Sequence, residues 1–224
     1  MQRFLQKTTE FFDIPLDLSS RLLVLFGAVL MVPIFILPLW EIEFSSERYP
    51  SGLRLVIYSS TLEGGSESDL LEINVLNHYL GMKSIDEENV PQFRWMPFLL
   101  GFGLLVALRV VVLGKMSKLV DLFFLVAYLG LFSLWSFWST LRLYGHDLNP
   151  FATVQIKPFS PPLIGEIEVA NVMITSNPLA GAYVFVVVPL VFAMAMWLSR
   201  KSWIHDHLPS NDYIGTVQSG QKNT

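Results

Sequence analysis

His78 and Met82 stand four residues apart, and an imidazole nitrogen with a thioether sulfur is a ligand pair suited to copper, the methionine favouring Cu(I). His146, directly before Asp147, and Met173 offer the same two donor types further along the chain. If the segments that carry them dock, the four residues converge on one metal site. The plainer reading gives His78 a hydrogen bond to Asn74 or Asn77 and leaves Met82 and Met173 as core fillers. With no cysteine, disulfides, thiol catalysis and cysteine-ligated metals are excluded. Serine, histidine and aspartate all occur, but no serine sits in a nucleophile-elbow glycine pattern, so no hydrolytic triad is assigned. Gly64-Gly65 reads as a turn, because no nucleotide-binding pattern follows it. His205-Asp206-His207 reads as part of a solvated tail. No nucleophile and base pair stands out, and nothing points to nucleic acid.

The elements that must position these groups are membrane spans. Of 224 residues 52% are hydrophobic and 15% charged, well under the charge of a soluble domain; mean hydropathy is +0.48. Leu22 to Trp40 carries no charge, and its 19 residues reach about 28 Å as a helix, nearly a hydrocarbon core. It begins after Glu10, Asp13 and Asp17 and ends on Trp40-Glu41-Ile42, a poor cleavage site, so it reads as a retained anchor in which Pro33 and Pro38 are tolerated. Further spans are read at 95–113, 119–140 and 179–198, the last containing Pro189. Trp135 and Trp138 lie where an aromatic belt places them. The spans offer few polar groups beyond Tyr128, Ser133 and Ser136, which argues against an autonomous pump. Gly101, Gly103 and Gly130 permit close helix contacts.

The remaining segments are a head at 1–21, outer segments at 41–94 and 141–178, an inner turn at 114–118 and a tail at 199–224. Phe4, Leu5, Phe11, Phe12, Ile14 and Leu16 make the head either an interfacial amphipathic element or a partly ordered lead-in. Arg109 and Asp121 flank the inner turn as a potential ion pair. Placing both termini in the cytoplasm of a bacterial inner membrane leaves nine of the 15 Lys and Arg residues inside, next to the spans, and six outside. The outer face then carries net −7 and the inner face +3, a surface that attracts cations or a basic docking partner.

In the first outer segment a turn at Tyr49-Pro50-Ser51-Gly52 leads into a strand over 53–59, broken at Glu63-Gly64-Gly65. A helix is predicted over Asp69–Leu80, capped by Ser66 and stopped by Gly81, with Leu70, Ile73, Leu76, Asn77 and Leu80 on one face. Prolines at 150, 158, 161, 162 and 178 forbid a continuous helix in the second segment, and 166–175 reads as a strand. A long proline-pinned loop is costly to order unless docked, so the two segments are expected to lie together. The fold class is therefore an all-α membrane protein, four transmembrane helices under a small mixed α/β extracytoplasmic cap.

Tyr49-Pro50-Ser51-Gly52-Leu53, the run from Glu72 to Met82 (EINVLNHYLGM), Gly145-His146-Asp147-Leu148-Asn149-Pro150 and Lys157-Pro158-Phe159-Ser160-Pro161-Pro162 resemble a poorly characterised group of small bacterial membrane proteins associated with copper-enzyme maturation in nitrous oxide respiration. The likeness covers about half the chain, and Leu148-Asn149-Pro150 departs from a more acidic form of the pattern. It implies an accessory protein that handles Cu(I) through His78, Met82 and His146 for an extracytoplasmic metalloenzyme. The alternative is a structural or assembly subunit of a transporter or respiratory complex without its own metal. Either would contact lipid and another membrane or extracytoplasmic protein.

Overall fold

In the computed structural model, which describes residues 11–207, four helices are long and apolar enough to cross a membrane. The first, α1 (Leu18–Met31), starts earlier than hydropathy suggests because Asp17 caps it, its carboxylate accepting from the Ser20 N–H at 3.2 Å. It also ends earlier. A 3₁₀ turn over Val32–Phe35 contains Pro33, and Trp40, expected in the span, instead opens a strand. Leu39 and Trp40 are apolar because they are buried at the foot of the cap.

The other bundle helices are α3 (Gln92–Leu113), α4 (Met116–His146) and α5 (Ala180–His207). Packing runs round a ring, α1 against α3 and α5, and α4 against the same two. Val24, Ala107, Leu119, Leu122, Val188 and Phe192 form its interior. Gly27 lets Phe192 close on α1, since a Cβ there would lie 2.4 Å from the ring. Of the three span glycines Gly101, Gly103 and Gly130 only Gly103 meets a neighbour, the Met31 methyl; a Cβ on Gly101 or Gly130 would have nothing within 4 Å.

At the end of the bundle away from the cap, Ile14 and Leu16 are buried, not laid along an interface. Leu16 N–H donates to the Gly114 carbonyl at 2.8 Å and Met116 N–H to Ile14 at 3.0 Å, stitching the lead-in across the short turn. Asp121 pairs with Lys118 at 3.1 Å, one helical turn away, rather than with Arg109. Phe4 and Leu5 lie outside the described residues, as do the side chains of His205, Asp206 and His207.

The cap is one antiparallel sheet built from both inserts, with β1 (Trp40–Ser46), β2 (Tyr49–Ile57), β3 (Leu62–Gly64), β4 (Gly165–Val169) and β5 (Val172–Pro178) in the order β3-β2-β1-β5-β4. β1 follows α1 after the 3₁₀ turn and four further residues, and β5 runs straight into α5, so neighbouring antiparallel helices lead into neighbouring antiparallel strands, Trp40 opposite Pro178. The single strand expected over 166–175 is a hairpin. Ala170 and Asn171 both have positive φ, 49° and 62°, the backbone that a two-residue hairpin turn requires. One face alternates inward as Trp40, Ile42, Phe44, Leu53, Leu55, Val172 and Ile174, and α2 (Asp69–Leu80) packs there through Ile73. Its hydroxyl-led cap is replaced by another device: Ser68 occupies the N-cap position without a side-chain bond to the helix amides, while Ser66 uses its hydroxyl on the Asp69 carboxylate.

Trp40 joins cap to bundle. Its indole N–H donates to Ser176 Oγ at 2.8 Å and the Leu163 carbonyl at 3.1 Å, and its ring meets Phe137 of α4 at 5.2 Å between centroids. Trp40→Ala is expected to cost about 3–5 kcal/mol by removing a buried aromatic with its hydrogen bonds. Limited proteolysis should then cut the 147–164 loop readily while the helical circular dichroism of the bundle persists.

Candidate functional site

The motif residues of the two inserts build a clasp. Asn74 bonds both backbone groups of Ile85, Oδ1 accepting from its N–H at 2.7 Å and Nδ2 donating to its carbonyl at 3.2 Å, which folds the chain after α2 back along the helix. Gly81 ends α2 with φ 78°, and a Cβ there would strike Ala152 at 2.7 Å. The second insert closes on this turn: Asn149 N–H donates to the Gly81 carbonyl at 2.8 Å, Val154 N–H to Tyr79 at 3.2 Å, and Lys83 pairs with Asp147 at 2.6 Å. Gly145 is needed on the other side, where a Cβ would lie 2.2 Å from the Phe159 carbonyl oxygen. These residues therefore shape backbone; they need no ligand to account for their types.

The candidate metal ligands fall around this clasp as follows. His78 is exposed on α2, and Met82 is half-buried just beyond Gly81. His146 is exposed at the end of α4, its Nδ1 against the Arg142 carbonyl at 2.9 Å. The clasp sets the segment containing Met82 beside the one containing His146. Met173 is half-buried on β5 opposite Ser45 and Glu168, in a shallow depression that also involves Ser46, Pro50 and Asn171. His146 lines another, with Ser139, Thr140, Arg142 and Leu143. Neither depression holds more than one of the four. Among the described residues no group of three or more His, Asp or Glu is placed to hold a metal ion.

What sequence reasoning missed lies on the other side of α2. Ile73, Asn77 and Leu80 face the cap core, as expected. Leu71, Val75 and Tyr79, at i, i+4 and i+8, are 67%, 55% and 52% exposed along a continuous outer stripe. Phe151, 92% exposed, stands in the loop held against Tyr79 and Gly81. The spacing was visible in the sequence, but its meaning depends on knowing that the opposite face is the buried one. The stripe lies on the cap side of the bundle's polar rim. Gln92 Nε2, at the start of α3, donates to Ser136 Oγ and Thr140 Oγ1 of α4, so the last six residues of α4 rise about 9 Å beyond that level. There Tyr144 donates to the Ser84 carbonyl at 3.2 Å, fixing the segment just after α2 at the same height.

Asp69 sets the stripe's orientation. Its Oδ2 accepts from the Arg54 N–H of β2 at 3.0 Å, pinning the first turn of α2 to the sheet. Burial by itself would raise this carboxyl, but hydrogen bonds from the Ser66 hydroxyl and from the Arg54 and Ser66 amides, with the Arg54 charge, outweigh it and hold the group below the ordinary carboxylate range. A lowered folded value means stability present above the unfolded value near pH 4 and lost as pH falls through the folded one. Asp69→Asn should accordingly weaken the cap by about 1–2 kcal/mol at neutral pH. In denaturant titrations followed by tryptophan fluorescence, that difference from wild type should shrink steadily below about pH 4.

The chain matches no family model, and no curated protein matches it.

Proposed function

We propose that this protein is an assembly subunit of a bacterial inner-membrane complex, with both termini in the cytoplasm and the cap outside, where it docks an extramembrane domain of a partner. The observation that carries the reading is the Leu71, Val75 and Tyr79 stripe, three large apolar side chains held outward on a helix whose other face is fully used. A patch of this kind on a pinned, extramembrane element fits a protein contact. The two outer segments carry net −7, so the partner's matching apolar patch is expected to be rimmed by Lys and Arg. The excess of basic residues beside the opposite helix ends supports the orientation. A copper-handling role draws less support from the geometry, since His146 and Met173 line separate depressions and His78 stands exposed on α2.

The test is photo-crosslinking in native membranes. A photoreactive side chain at Val75 should join one defined membrane-complex subunit, whereas the same group at Leu105, on the lipid-facing side of α3, should not. Gently solubilised wild type should keep that partner in chelator, while Leu71→Ser/Val75→Ser/Tyr79→Ser should lose it, each buried anchor being worth about 2 kcal/mol. An unchanged complex in a triple variant with a protease-resistant cap would sink the reading.

A further inference from the structure

The geometry points to a phospholipid headgroup site on the outer face of α4, where Arg142 and Ser139 hold the phosphate and His146 accepts a hydrogen bond from an N–H or O–H at the headgroup's tip. Ser139, Arg142 and His146 succeed one another at three and four residues and so share one face, and all three are exposed. With Thr140 and Leu143 they line a single depression. The Arg142 Cζ lies 5.6 Å from the Trp138 ring centroid, which holds the guanidinium beside an aromatic belt residue while Arg142 stays exposed. Among the described residues the ion pairs are Arg54 with Glu41, Lys83 with Asp147 and Lys118 with Asp121; Arg142 belongs to none of them despite an acidic cap. A planar cation without a carboxylate, at the level where apolar surface gives way to water, is a phosphate-binding group.

His146 supplies the selectivity. Its Nδ1 faces a carbonyl oxygen, which can only accept, so Nδ1 carries a proton, and in the neutral imidazole Nε2 is the acceptor. Arg142 and His146 are one turn apart, about 6 Å along the axis, which matches a headgroup layer of roughly 5–8 Å with the phosphate deeper and the tip further out. Below them Trp135 and Leu131, 59% and 69% exposed, continue the same side of the helix as a surface for an acyl chain. Ethanolamine and glycerol headgroups can satisfy Nε2. Choline, a quaternary ammonium, has no proton to give.

The full chain, in detergent micelles doped with equal amounts of phosphatidylethanolamine, phosphatidylglycerol and phosphatidylcholine, can be read by native mass spectrometry. Wild type should retain the ethanolamine or glycerol lipid at least about fivefold over the choline lipid, and Arg142→Gln should lower total lipid adducts about tenfold, near 1.4 kcal/mol. His146→Leu should keep lipid but erase the headgroup preference, and Arg142→Lys should restore part of the binding. Equal adducts in wild type and Arg142→Gln, or no preference in wild type, would overturn the site. Displacement of lipid by millimolar inorganic phosphate alone would also overturn it, identifying a free-anion site instead. If Arg142→Gln fails to insert, the headgroup preference of His146→Leu against wild type decides.

Discussion

Strand β1 is hydrogen-bonded along both edges, to β2 from its own insert and to β5 from an insert more than a hundred residues later. Everything in the cap follows from that double pairing. It requires both inserts to emerge at one end of the bundle, and it fixes α1 and α5 as neighbours because each is collinear in sequence with one of the paired strands. Leu179 N–H donates to the Leu39 carbonyl and Gly181 N–H to Pro38, so the ladder runs on into the bundle without a gap. Backbone groups at the foot of the cap are thereby satisfied where water is scarce.

On this frame the motif residues divide into two kinds. Asn74, Gly81 and Gly145 serve the backbone, closing turns and allowing segments to approach within the radius of a methyl group. The side chains Leu71, Val75 and Tyr79 on the same helix point away from the cap core and are mostly exposed. A helix apolar on both faces buries one and presents the other, and the clasp decides which. Asp69 completes the arrangement by denying α2 rotation about its axis, its carboxylate being tied to a main-chain group of the sheet.

Much of this was legible in the residues. Spans could be found from apolar length, and α2 from its periodicity with Gly81 as terminator, at the same bounds as in the structure. Where the reading failed, one signal had two physical sources. Leu39 is apolar for the interior of the bundle and Trp40 for the core of the sheet rather than for lipid, and hydropathy does not tell these apart. The alternation Glu41-Ile42-Glu43-Phe44 announces β1, but it abuts the span, where apolar length is the stronger signal. Arg142 and His146 remove the end of α4 from the hydropathy window, although Leu141 and Gly145 beside them are buried. Ala170-Asn171 hid a turn because alanine rarely adopts positive φ. The grouping of His78, Met82, His146 and Met173 depended on loop register, which composition cannot supply.

The strand order also dictates a timetable. As the chain leaves the ribosome, β1 acquires β2 and β3 at once, but β5 follows only after α3 and α4 have been made, on the order of ten seconds later at ordinary translation speeds. Throughout that interval one side of β1 is a naked template, and its only correct complement arrives attached to the last helix. Closure of the sheet thus waits on α3 and α4, and a finished cap certifies that the two helices made between its halves have been delivered to the bilayer.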